Sequence, residues 1–166
     1  LHSSAYESPE QRKDKRALLT GAGNSGCDIA VDAVHHAVSV DMSVRRGYDF
    51  VPRYMFGRPS DTLNQGRPLP ARIKQAVDSR VLRAFTGDPV RFGFPRPDYR
   101  IYESHPIVNT LILNHLGQGD LRIRPDIARF EGTTVHFRDG SADDYGLVLL
   151  ATGYTLDYPF VDREHL

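Results

Sequence analysis

The first apolar run of the chain is Ala17-Leu18-Leu19-Thr20, and it stops at Gly21 as a short strand buried on both faces does. Beyond a glycine-rich turn, Cys27, Ala30, Val31 and Val34 recur at three- and four-residue intervals, with Asp28, Asp32 and His35 on the other face. That spacing predicts an amphipathic helix. Val38, Val40 and Met42 then alternate with Ser39, Asp41 and Ser43, so residues 37–44 predict a second strand. Ahead of this strand-helix-strand unit, residues 1–16 carry the run Glu10-Gln11-Arg12-Lys13-Asp14-Lys15-Arg16 and read as a connecting segment, too charged for a core element.

Residues 45–70 are rich in Pro, Gly, Arg and aromatics without a sustained period, which predicts an ordered surface loop. A helical stripe returns over 71–85 through Ile73, Ala76, Val77, Val81, Ala84 and Phe85. Residues 106–116 predict a largely buried helix, since Ile107, Val108, Leu111, Ile112, Leu113 and Leu116 wrap most of the way round. Residues 121–124, 127–131 and 133–137 are short β-prone pieces between turn residues and predict a small antiparallel meander, with Asp139-Gly140 as a further turn. Leu147-Val148-Leu149-Leu150-Ala151 is a continuous apolar run and returns to the central sheet. The fold class that follows is α/β, a Rossmann-like domain with a parallel central sheet, a helical insertion and a small β-meander.

At 166 residues the chain suits one domain, and its 40% hydrophobic and 25% charged residues suit a folded globular one. Lys plus Arg equals Asp plus Glu at 21 each, so net charge gathers neither nucleic acid nor anionic lipid. Cys27 is the single cysteine, which excludes an internal disulfide, a cysteine zinc cluster and a paired-thiol redox centre; on the inward helix face it reads as a packing residue. No apolar stretch reaches the roughly 18 residues of a membrane span and no signal peptide is evident, so the expectation is a cytoplasmic chain without nucleic-acid or membrane partners. It lacks an initiator Met and reads as a possible fragment of a longer protein.

Gly21-Ala22-Gly23-Asn24-Ser25-Gly26 carries the chemistry. In the dinucleotide fingerprint the first glycine permits the strand-to-helix turn, the second admits a pyrophosphate, and the third lets helix and strand pack closely. The alternative is a merely tight turn in another α/β fold. Asp41 stands where an acid would bond the ribose hydroxyls of NAD, whereas Ser43, Arg45 and Arg46 just beyond would hold a 2′-phosphate. The two guanidinium groups favour NADP(H) over NAD, against a background in which 18 of 21 basic residues are Arg. The histidines form no metal-binding pair, His35 and His36 suit the end of the first helix, and Asp143-Asp144 reads as a solvated turn. No self-contained catalytic constellation and no metal site is expected.

These residues resemble the flavin-containing monooxygenases, in their NADPH-binding half. His2-Ser3-Ser4-Ala5-Tyr6 looks like the tail of the family's identifying pattern, whose front would precede Leu1. Gly21 to Gly26, continuing as Cys27-Asp28-Ile29-Ala30, is similar to its NADPH-binding glycine motif. Ser43-Val44-Arg45-Arg46-Gly47, followed by Pro52-Arg53-Tyr54 and Gly57-Arg58-Pro59, resembles its 2′-phosphate segment. Ala151-Thr152-Gly153-Tyr154, with Pro159-Phe160 after it, matches the Ala-Thr-Gly motif of two-dinucleotide flavoproteins, although Gly146 stands where an acidic residue is frequent.

The resemblance implies that residues 17–155 bind NADPH, that 1–16 connect from an FAD-binding half absent from the chain, and that 156–166 begin the return to it. It implies cofactor contacts from Gly21, Gly23, Asn24, Ser25, Gly26, Ser43, Arg45, Arg46, Ala151, Thr152 and Gly153. The implied reaction reduces FAD with NADPH and passes one oxygen atom of O2 to a soft nucleophile, an amine or sulfide. Tyr6 leans towards that group, since the Baeyer-Villiger monooxygenases usually carry Trp there. A Baeyer-Villiger enzyme and a non-catalytic NADP-binding module remain the alternatives.

Overall fold

The computed structural model describes residues 1–60 and 70–154. Four strands, β1 (Arg16–Thr20), β2 (Ser39–Ser43), β5 (Leu121–Arg124) and β9 (Leu147–Leu150), form the central sheet in the order β5-β2-β1-β9, and every pairing in it is parallel. Helices α1 (Asn24–Ala33) and α3 (Leu111–Gln118) cover one face. Leu19, Val40, Met42, Leu121 and Leu149 meet them there, together with Cys27, Ala30, Ala33, Ile112 and Leu113. On the other face, Leu18 and Val148 meet Val135, Phe137 and Tyr145 from the meander side. The meander is β6 (Ile127–Glu131), β7 (Thr134–Phe137) and β8 (Ala142–Asp144), paired antiparallel. The sheet therefore lies between a helical layer and a β layer.

Several expectations are corrected. Residues 121–124 belong to the parallel sheet and not to the meander, because Leu121 and Ile123 pair in register with Val40 and Met42 and Leu121 is buried against the helices. The meander takes Asp143 and Asp144 instead: Asp143 lies within β8 and receives Arg16 at 3.0 Å and Arg124 at 2.8 Å, so it is not a solvated turn residue. The helix expected over 106–116 begins at Leu111. Ile107 is buried by strand-like pairing with Phe50, and the Asn109 side-chain oxygen Oδ1 accepts the N–H groups of Leu111 and Ile112, which caps the helix. Within the region read as a surface loop, β3 (Tyr54–Met55) and β4 (Arg58–Pro59) form a hairpin, and Phe50 and Met55 are buried; residues 61–69 lie outside the described residues. The helix over 71–85 is α2 (Ala71–Thr86), with its apolar stripe turned outward.

The connecting segment is more firmly seated than its charge suggests. Arg12 is only 1% exposed, donates to the Ile29 carbonyl at 3.3 Å and to Asp32 at 2.5 Å, and lies over the Tyr6 ring. The Tyr6 hydroxyl also bonds Asp32. Arg12 thus presents its stem and plane to apolar neighbours while its charge meets a carboxylate.

Asp41 is the polar centre of the sheet. It is fully buried on the meander side, bound by Arg122 through two N–H groups at 2.9 and 3.1 Å and by the Tyr145 hydroxyl at 2.6 Å. Burial, followed by the bond to Asp41, pushes the Tyr145 hydroxyl well above its usual range, so it remains a donor. Asp41→Ala is expected to lower the unfolding free energy by about 2–3 kcal/mol, below the roughly 3–5 kcal/mol of a pair buried at both ends, since the half-exposed Arg122 can rehydrate. Urea denaturation measures this, and a change under about 0.5 kcal/mol would remove Asp41 from the account of stability.

Burial pushes the Cys27 thiol up to about 12 from 9.0. Because the folded state holds this proton more tightly, the thiol's contribution to stability is complete below pH 9 and is lost as pH rises towards about 12; Tyr145 acts in the same direction above pH 10. The chain is expected to resist a thiol reagent at about pH 8 while native and to react fully in denaturant. Equal labelling rates in both states would contradict the buried position.

Candidate functional site

The turn between β1 and α1 is built from three glycines in different circumstances. Gly21 has φ +97°, and a Cβ on it would lie 2.6 Å from the Ala151 carbonyl oxygen. Gly26 presses against the same turn: its Cβ would lie 2.3 Å from the Gly21 carbonyl oxygen and 3.2 Å from the Ala151 Cβ. Gly23 differs, since a Cβ there would meet no atom within 4 Å. Two glycines therefore permit close packing, and the middle one faces open space.

That space lies at the N-terminus of α1. Gly23 caps the helix without a side-chain bond and the first turn holds no acidic residue, so the positive end of the helix dipole is uncompensated. Asn24 and Ser25 are exposed there. The Asn24 side-chain oxygen is already occupied, accepting the Val108 N–H at 2.8 Å. Asp28, one turn on, accepts from Asn109 at 2.7 Å and from Arg53 at 3.3 Å, and Arg53 also donates to the Val108 carbonyl. The segment before α3 is in this way tied to the first two turns of α1.

The residues after β2 divide by exposure. Ser43 is buried and donates its hydroxyl hydrogen to the Pro125 carbonyl at 2.8 Å, leaving it free only to accept. Arg45 and Arg46 are exposed, with Arg46 over the Tyr48 ring. Gly47 then fixes the course of the chain, for a Cβ on it would lie 2.2 Å from the Pro95 carbonyl oxygen. Asp41, the residue that would serve an unphosphorylated ribose, is sealed among Arg122, Tyr145 and Arg124. An arriving ribose cannot reach it.

Ala151 follows β9, donates its N–H to the Thr20 carbonyl at 2.8 Å and packs against the glycine turn; Thr152 and Gly153 are exposed. His2 donates from Nε2 to the Gly153 carbonyl at 3.2 Å and meets the Tyr154 ring edge to face. Its Nδ1 accepts from Ser4, which fixes the tautomer. The sequence-predicted site residues thus gather at one end of the sheet, except that Ser43 is turned inward. Asn109 was missed, although such a residue ahead of an apolar run is a legible helix cap; Asp28 and Arg53 stand within segments the resemblance named, but no local pattern marks them as neighbours of Asn109 and of each other.

Beside α1, a cavity of about 830 Å³ is lined by Asn24, Asp28, Arg53, Lys74, Asp78 and Tyr102 among apolar neighbours. Lys74 and the Tyr102 hydroxyl each reach one Asp78 oxygen at 2.6 Å. The bond to Asp78 pushes the Lys74 amine up, and burial pushes the Tyr102 hydroxyl up, so near neutral pH both keep their protons. Neither is tuned for proton transfer. Among the described residues no group of three or more His, Cys, Asp or Glu is placed to hold a metal ion, and no helix is long and apolar enough to cross a membrane.

The chain is similar to known monooxygenases along nearly its whole length. Flavin-containing monooxygenase 5 of Oryctolagus cuniculus is 34% identical over 98% of the chain and 32% of its own length. Indole-3-pyruvate monooxygenase YUCCA8 of Oryza sativa subsp. indica is 31% identical over 96% of the chain and 40% of its length. The chain thus spans about a third of the first of these relatives. Among solved structures, a mutant flavin monooxygenase from Stenotrophomonas maltophilia superposes with a TM-score of 0.59 at 21% identity, over 95% of this chain and 35% of that one. A cyclohexanone monooxygenase mutant from Rhodococcus sp. Phi1 bound to NADP+ gives 0.71 at 13% identity, over 94% and 42%, a likeness of fold. The sequence model of the Flavin-binding monooxygenase-like family matches residues 1–166, and the chain belongs to that family.

Proposed function

We propose that this chain is the NADP(H)-binding part of an FAD-dependent monooxygenase that transfers one oxygen atom of O2 to a soft nucleophile, an amine or sulfide. One observation carries the reading: an uncapped helix N-terminus faces open space at Gly23, with Arg45 and Arg46 exposed beyond β2 and Asp41 sealed away. The residues fit the cofactor. Gly21 and Gly26 hold the turn, Gly23, Asn24 and Ser25 receive the diphosphate through backbone N–H groups, and Arg45 and Arg46 hold the 2′-phosphate. Ser43 braces the arginine loop through Pro125, and Ala151, Thr152 and Gly153 close the cradle from β9. When bound, NADPH supplies a hydride to the flavin, which we assign to protein outside this chain.

On this reading residues 17–155 are the nucleotide domain and 1–16 the connector; 156–166, as the start of the return to the flavin half, lie outside the described residues. Tyr6 favours the amine- and sulfide-oxidising group over a Baeyer-Villiger enzyme. Its hydroxyl, which a tryptophan would lack, bonds Asp32 and Arg12. A non-catalytic NADP-binding module is separated from both by testing the complete protein for oxidation that consumes NADPH.

Calorimetric titration with NADP+ and NAD+ is the direct test. Arg45→Ala and Arg46→Ala are each expected to weaken NADP+ about tenfold, one charge-assisted bond's worth, with little effect on NAD+. Equal losses for both nucleotides would remove the phosphate role. The glycines give an independent check. Gly26→Ala places a methyl against a backbone carbonyl and is expected to destabilise the fold by about 1–3 kcal/mol. Gly23→Ala meets no protein atom and keeps an allowed φ of −68°, so the thermal midpoint should hold while NADP+ affinity falls. Unchanged affinity in the Gly23 variant would mean that the turn is purely structural.

A further inference from the structure

The side chain of Arg53 is 65% exposed, yet its guanidinium is fixed on two sides. Its Nε donates to the Val108 carbonyl at 3.3 Å and its Nη2 to Asp28 Oδ1 at 3.3 Å. Val108 also holds Asn24, through the N–H that the Asn24 side-chain oxygen accepts at 2.8 Å. One residue ahead of α3 therefore ties the first residue of α1 and the Arg53 guanidinium to the same place. Asn109 completes the brace from a buried position: its Nδ2 donates to Asp28 Oδ1 at 2.7 Å while its own Oδ1 caps α3.

An exposed Arg-Asp pair adds little to stability, and holding a long side chain in one geometry costs it rotamer freedom. What this brace does achieve is to present donors. Arg53 Nη1 and the Asn24 side-chain NH2 make no hydrogen bond among the described residues, and both residues belong to the wall of the cavity beside α1. Asn24 follows Gly23, which faces open space, and Asp28 lies four residues on, about 6 Å along the helix axis. The width of a guanidinium and one hydrogen bond span that gap. The charge also has a local reason. Asp28 is the first acid of α1 and is half exposed, so without a counter-charge its carboxylate would repel an anion seated at the helix N-terminus.

We propose that Arg53 is a third arginine of the nucleotide site and contacts the diphosphate of the bound dinucleotide, with Asp28 and Asn109 as the positioning residues that hold it beside the first turn of α1. The inference rests on the nucleotide reading above and deepens it. Arg45 and Arg46 recognise the 2′-phosphate, whereas Arg53 acts on the part that NADP(H) and NAD(H) share. Its free nitrogen donates to a diphosphate oxygen from the side of the β3-β4 hairpin, and the backbone N–H groups after Gly23 approach from the helix.

Calorimetric titration of the 166-residue chain with NADP+ and with 2′-AMP, which carries the 2′-phosphate and lacks the diphosphate, separates the roles. Arg53→Ala is expected to weaken NADP+ about tenfold and to leave 2′-AMP unchanged, whereas Arg45→Ala weakens both. Arg53→Lys keeps the charge without the two-sided brace and should recover part of the loss. Asn109→Ser retains a hydroxyl to cap α3 but releases Asp28, and should weaken NADP+ about threefold without affecting 2′-AMP. Because Arg53 is exposed, circular dichroism and the thermal midpoint of Arg53→Ala should match those of the parent chain. If Arg53→Ala binds NADP+ as the parent does, or loses NADP+ and 2′-AMP by the same factor, Arg53 only braces the segment before α3; the proposal is overturned and the nucleotide reading stands. If the parent holds NADP+ but no 2′-AMP, the diphosphate end carries the binding, and a loss smaller in Arg53→Ala than in Arg45→Ala overturns the proposal. A parent chain that binds neither nucleotide overturns both.

Discussion

The approach of Gly26 to the Gly21 carbonyl is the contact on which the C-terminal edge of the sheet, the proposed nucleotide site, depends. No side chain fits between them, so the first turn of α1 lies directly on the end of β1, and Ala151 fills the only remaining side. Close packing aims the helix N-terminus at the C-terminal edge of the sheet instead of past it. It also makes the cradle a property of three segments: the turn itself, the end of β2 through the Gly21 N–H on the Ser43 carbonyl, and the residue after β9. A binding edge assembled from segments far apart in sequence needs such a common contact, because each alone is a loop end free to move.

The two faces of the sheet solve opposite problems. Towards the helices the strands present Leu19, Val40, Met42 and Leu149 and the layer closes by apolar packing. Towards the meander the central strand presents Asp41, so that layer closes around a carboxylate held by Arg122 and Tyr145, with Asp143 gathering Arg16 and Arg124 nearby. A buried anion of this kind adds little to stability beyond what a well-packed apolar replacement would, but with its bonds made it admits one register of meander on sheet. On the proposed reading it also withdraws from the ribose the acid that position in β2 offered, and recognition of the adenosine end falls to the arginines beyond.

Much of this was legible because period and punctuation coincided. The strand, the glycine turn and the stripe of α1 point to one structure, and Leu147–Leu150 is apolar enough to be buried on both faces. Residues 106–116 were misread because Ile107 and Val108 extend the helical period of α3 backwards, while Asn109, a cap, ends it sooner. Strand β5 was assigned to the meander because Leu-Arg-Ile-Arg alternates like a half-solvated strand; its arginines are in fact directed to Asp41 and Asp143, partners no local pattern reveals. Arg12 was illegible for the same reason. Within a run of charges, nothing singles out the one that packs under Tyr6.

The even charge balance conceals a segregation that bears on every surface described. Of the carboxylates near the sheet and its helices, Asp28, Asp32, Asp41, Asp78 and Asp143 are each engaged by Arg or Lys from a neighbouring segment or turn. Each such pair cancels locally and spends its acid on joining elements. Arg45, Arg72 and Arg80 are left exposed with no ion pair among the described residues, and Arg46, though exposed, lies over Tyr48 with Asp98 nearby. A protein with zero formal charge can therefore present two cationic surfaces at short range while exerting little field at distances beyond the screening length. On the proposed reading, recognition of anions then acts at contact, where helix dipole, guanidinium geometry and the shape of the glycine turn decide what is bound.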